Sequence, residues 1–115
     1  MPPFFVVPFV VAIDHKLRII DRFDFPIGEF IEIADMLIVR LDKPVDIVYN
    51  ENVFGVSLIE KKITWRIAKR KYSNEHCRFT GIQIFKDELV LINWCSIYFT
   101  VDPLTGEILE EGWLK

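Results

Sequence analysis

The sequence predicts an all-β fold: a small antiparallel sandwich or half-barrel assembled from successive hairpins. Three observations carry that expectation. Short runs rich in β-branched and aromatic residues recur along the chain, among them FVVAI, MLIVRL, ITWRI, ELVLIN and SIYFTV. Turn-forming residues separate these runs at the roughly 8–12-residue intervals of sandwiches and barrels. The composition, 51% hydrophobic with only five Gly, can bury one core in a single domain, residues 1–115, and leaves no room for flexible linkers.

The chain opens MPPFFVVPFVVAIDHK. Pro2 and Pro3 stand where a signal peptide carries positive charge, Pro8 interrupts the apolar run, and no small-residue cleavage site follows. The run from Phe4 to Ile13 is far shorter than the roughly 20 residues that span a bilayer. It is expected to be a buried strand pair or a long edge strand bent at Pro8, in a cytoplasmic protein. A DHK turn leads into LRIIDRF (17–23).

GEFIEIADML (28–37) fits two readings: Phe30, Ile33, Ala34 and Leu37 have helical spacing, and Phe30 to Ile33 also alternate. MLIVRL (36–41), VDIVYN (45–50) and NVFGVS (52–57) read as strands, the last two divided by an NEN turn. IEKKITWRIAKRKY (59–72) places Ile59, Ile63 and Ile67 four apart, yet Ile63, Trp65 and Ile67 also share one face of a strand. A strand followed by a polar loop is the favoured reading, and one short helix is expected in all. GIQIF (81–85) and ELVLIN (88–93) flank a KDE turn. SIYFTV (96–101) and EILEE (107–111) flank Asp102-Pro103-Leu104-Thr105-Gly106, where Pro103 presets φ and Gly106 tolerates positive φ. Ten strands are one or two more than this length comfortably holds.

Three hairpins share a rhythm: FVVAIDHKLRII, VFGVSLIEKKITW and IYFTVDPLTGEIL begin at Phe9, Val53 and Ile97, 44 residues apart each time. That spacing lies in the range of propeller blades. In this alignment Val10, Phe54 and Tyr98 correspond, as do Ile13, Ser57 and Val101. The last unit, Tyr98 to Leu109, resembles the outer hairpin of a quinoprotein-type β-propeller repeat: a strand ending in Asp, a Thr-Gly turn, then the next strand. The resemblance implies three blade-like units but no activity, because the quinone- and metal-binding residues of that family have no counterparts here. At this spacing the chain holds about 2.6 units, short of the four or more blades that close a ring. An open stack, or closure by self-association, remains.

No motif names a reaction. His15, His76, Cys77 and Cys95 lack the paired spacing of a structural zinc site, and adjacent His76 and Cys77 point to opposite faces of an extended chain. The two cysteines are expected to be reduced, buried thiols. Glu29/Glu32/Asp35 and Glu107/Glu110/Glu111 read as solvated surface, and no glycine-rich phosphate loop is present. No catalytic residue, metal or cofactor is therefore expected.

Charge is distributed unevenly. Lys61, Lys62, Arg66, Lys69, Arg70 and Lys71 are six of the fourteen basic residues, and residues 60–71 carry +5 while the rest carries −8. With Trp65 and Tyr72 this stretch is the candidate binding surface: phosphate contacts and base stacking in a nucleic-acid binder, or a patch for a protein partner. The acidic remainder, with a pI near 5.4, repels a polyanion. The expected function is thus a non-catalytic protein-binding module or self-associating domain, with no membrane role. A toxin-neutralising immunity protein, whose acidic face mimics a nuclease's substrate, is the first alternative, and a nucleic-acid-binding domain is the second.

Overall fold

The computed structural model describes residues 23, 25–72 and 75–114. Among them are eight strands and no helix: β1 (Ile27–Ile33), β2 (Met36–Leu41), β3 (Val53–Ser57), β4 (Lys62–Arg66), β5 (Phe79–Phe85), β6 (Glu88–Asn93), β7 (Ile97–Val101) and β8 (Ile108–Trp113). They form two four-stranded antiparallel sheets in sequential order, β1-β2-β3-β4 and β5-β6-β7-β8. The all-β, hairpin-by-hairpin expectation holds. The expected short helix is absent from the described residues, since both ambiguous stretches are strands. The FVVAI strand, most of LRIIDRF and the first of the three similar hairpins lie outside the described residues.

GEFIEIADML bends at Ala34-Asp35, where both residues have positive φ (53° and 60°), the two-residue hairpin turn whose twist matches flanking strands. Lys86-Asp87 repeats it at 50° and 64°. The repetition extends to register. Both first hairpins break step near their start, between Ile27 and Glu29 and between Phe79 and Gly81, 52 residues on. Both second hairpins break step before Val56 and before Val101, 45 residues on. The longer β2–β3 connection accounts for the difference.

This register corrects the alignment drawn from sequence by one residue. Phe54 corresponds to Phe99 and not Tyr98, and Val56, not Ser57, corresponds to Val101. The bulge sets the equivalence, whereas the start of the apolar run does not, because Ile97 extends β7 by one residue. A one-residue slip exchanges the two faces of a strand. VDIVYN is also corrected: it lies in the β2–β3 connection, with Val45, Ile47 and Val48 exposed. Pro44 cannot donate to a ladder, and Ile47 N–H instead closes a turn on Pro44 C=O (3.2 Å).

The sheets stack through a shared core. One face of the first sheet, with Met36, Ile38, Val53 and Trp65, meets Leu89, Leu91, Phe99 and Val101 of the second. The opposite face of the first sheet, with Leu37, Val39, Phe54 and Val56, packs on Phe23, Phe25 and Tyr49. β2 and β3 are therefore buried on both sides, which explains their nearly continuous apolar sequences. Polar side chains fix the sheets relative to each other. Asn52 donates to Leu41 C=O and Phe79 C=O (2.9 Å each) and accepts from Phe79 N–H (2.8 Å). Glu29 accepts from both Arg40 (2.8 Å) and the β5 amide of Ile82 (3.1 Å).

Candidate functional site

The eight residues singled out by charge and aromaticity do not form one surface. Trp65 is only 8% exposed. It lies flat across Gly55, its neighbour on β3, where a β-carbon would sit 2.1 Å from the indole, and against Gly106 on the other side. Its Nε1–H donates to Pro103 C=O at 2.9 Å. The Asp102–Gly106 turn is thus the lid of a tryptophan slot, with Gly106 at φ +78°. Trp65 joins the sheets and offers no stacking surface.

With Trp65 inside, the basic stretch splits in two. Lys61 and Lys62 sit at the β3–β4 turn, Lys62 3.5 Å from Glu60. Arg66 closes β4, donates to Glu51 C=O (2.6 Å) and lies over the rings of Tyr49 and Phe54. Lys69, Arg70, Lys71 and Tyr72 follow, lining a cleft of about 580 Å³ with Val48 and Asn50 opposite and Glu75 at its margin. Arg70 pairs with Glu111 and stands over the Phe99 ring. Burial pushes the Tyr72 phenol above its ordinary pKa, Glu51 and Glu111 adding to the effect and Asn93 and Arg70 opposing it. The cleft mixes cations with two carboxylates in reach, and its charge is partly spent within the chain.

The cysteines correct a second expectation. Cys77 and Cys95 are joined in a disulfide, Cα–Cα 5.3 Å, tying the β4–β5 connection to the β6–β7 turn. Folding brings the two residues to adjacent positions that their 18-residue separation does not announce. Neither sulfur is then a thiolate nucleophile. Among the described residues no three His, Cys, Asp or Glu side chains gather as metal ligands.

A surface that sequence reasoning missed lies on the outer face of the second sheet. Cross-strand pairing places Gln83, Val90, Thr100 and Glu110 in one row and Gly81, Ile92, Tyr98 and Gly112 in the next. Phe85 and Glu88 continue the face at one end, and Leu114 borders it. Phe85 is 56% and Leu114 44% exposed. A shallow groove of about 320 Å³ runs between them. Tyr98 lies over Gly112, whose β-carbon would fall 2.6 Å from the ring, so the phenol leans across β8. None of these residues belongs to either core cluster. ELVLIN carried the signal: both faces of this strand are apolar, as in a strand covered twice. On the outer side Val90 and Thr100 form a buried floor, 9% and 6% exposed, and the exposed apolar surface is that of Phe85 and Leu114 with half-buried Ile92 and Tyr98.

Residues 10–113 match a family model described as Domain of unknown function (DUF7957). No curated protein and no solved structure matches the chain.

Proposed function

The chain belongs to the DUF7957 family, whose description names no activity, and from its surface we propose that it is a non-catalytic protein-binding module. The observation that carries this reading is the outer face of β5–β8. Half-buried Ile92 and Tyr98, over a buried floor of Val90 and Thr100, are extended by exposed Phe85 and Leu114 and lie beside exposed Gln83, Glu88 and Glu110. Apolar and aromatic centres with polar rims are the anatomy of protein interfaces. Burying such side chains supplies affinity at about 25 cal/mol per Å² of apolar area removed from water, before the costs of association.

The test is capture of binding partners on immobilised protein. Phe85→Asp and Leu114→Asp change side chains that are already exposed, so both variants should fold. A partner retained by the wild type and by the control Ile59→Asp, at the β3–β4 turn, is expected to be lost on both face variants. Identical capture by all four proteins would remove the face from the account.

A further inference from the structure

Resting on that reading, we infer that the outer face of β5–β8 receives a β-strand or sheet face of another protein that presents an apolar stripe bordered by Lys or Arg. The chain contains the template for this contact. By the register equivalences, Ile31, Ile38, Gly55 and Trp65 of the first sheet occupy the positions of Gln83, Val90, Thr100 and Glu110 in the second. The first set is seated on the second sheet's inner face, through Ile38 and Trp65 in the shared core with Ile31 packed against it. Its equivalent on the second sheet therefore has the twist and row spacing of a surface that already accepts a stacked sheet.

The differences between the two rows select the occupant. Where the internal interface has Met36 and Trp65, the outer face has Glu88 and Glu110, while Val90 keeps the apolar character of Ile38. The groove is lined by these two carboxylates and by no cation; Lys86 stands at its rim, over the Phe85 ring at 5.4 Å. A partner with basic residues flanking its apolar row satisfies both carboxylates as they lose water, whereas an apolar sheet without them leaves the charges unpaired. A second copy fits poorly on two counts. The face that would complete a head-to-tail stack, Leu37, Val39, Phe54 and Val56, is already covered by Phe23, Phe25 and Tyr49. Two outer faces meeting across a two-fold axis would bring together two acid-lined grooves with no cation in either lining.

The experiment is calorimetric titration of the full chain with two synthetic strand-forming peptides, one alternating Lys and Val, the other Glu and Val. The Lys peptide is expected to bind, to weaken with added salt, and to bind about tenfold more weakly to Glu88→Gln/Glu110→Gln. Phe85→Asp should abolish binding. Equal binding of both peptides, lost in Phe85→Asp, would overturn the basic-partner inference and leave the protein-binding reading standing. Binding of neither peptide would overturn the inference alone, since capture of a natural partner on the immobilised chain is scored separately. Sedimentation showing a dimer that Phe85→Asp dissociates would also overturn it, in favour of self-association.

Discussion

Replacing Asn52 with Leu keeps the branched outline of the side chain, in a somewhat bulkier residue, while removing the hydrogen bonds that tie the sheets together. Asn52 is fully buried, and its amide makes three bonds, two to Phe79 and one to Leu41. Each such bond contributes about 1 kcal/mol net, but a buried polar group left without a partner costs about 1–3 kcal/mol. The Phe79 N–H and C=O are the groups exposed to that penalty, and the sum is roughly 3–5 kcal/mol. Against the usual 5–15 kcal/mol of total stability, that is a third or more. With urea slopes of about 1–3 kcal/mol per molar, the unfolding midpoint should fall by about 2 M, followed by circular dichroism. Asn50→Ala, which removes bonds to Glu75 C=O and Cys77 N–H at a wetter site, should cost about 1 kcal/mol. A midpoint shift below about 0.5 M for Asn52→Leu, at unchanged slope, would refute the idea that this amide fixes the stack.

Other outcomes follow from the same contacts. Gly106→Ala places a β-carbon 2.5 Å from the Trp65 ring at a positive φ, so it should destabilise by at least about 1 kcal/mol and red-shift tryptophan emission, Trp94 and Trp113 being exposed already; unchanged emission and melting would contradict the slot. Cys95→Ser opens the loop between residues 77 and 95 and should cost roughly 3 kcal/mol by the chain-entropy estimate. Thiol titration of protein denatured without reductant should find no free thiol, and two free thiols would contradict the bridge. Tyr72 holds its proton above the usual phenol range near pH 10. The unfolded chain releases that proton first, so stability falls as pH rises through this region; Tyr72→Phe should flatten that alkaline loss, and an unaltered profile would exclude it. Random oligonucleotides should fail to bind even at low salt, because Trp65 is inside and the basic residues are divided; salt-dependent binding lost in Lys69→Ala/Lys71→Ala would reinstate the nucleic-acid alternative.

How far the sequence could be read depends on which physical signal each residue carries. Strands dense in β-branched, aliphatic or aromatic residues and flanked by turn residues, such as GIQIF, ELVLIN and SIYFTV, lie within a residue or two of their expected bounds. ADM was ambiguous because its turn uses Ala34 and Asp35 at positive φ, positions where Gly or Asn usually give the signal. VDIVYN has strand composition, but Pro44 and the buried Asn52 decide its path, and the three bonds of Asn52 go to two residues, Leu41 of β2 and Phe79 of β5. Trp65 looked like a binding residue because local sequence shows its charged neighbours and hides Gly55 and Gly106, which form its slot. The disulfide needed tertiary proximity that spacing does not supply. The outer face was legible in part: the double-sided apolar pattern of ELVLIN accords with burial on both sides of the strand, and only the topology reveals that Phe85 and Leu114 stand exposed around its outer side.

The most direct test is hydroxyl-radical footprinting of the chain with and without its captured partner, read by mass spectrometry at each aromatic and aliphatic side chain. Complex formation should protect Phe85, Tyr98 and Leu114 while leaving Trp65 unreactive throughout and Val48 and Tyr72 in the basic cleft unchanged. Protection confined to that cleft, or an outer face equally reactive in both states, would contradict the assignment of binding to β5–β8.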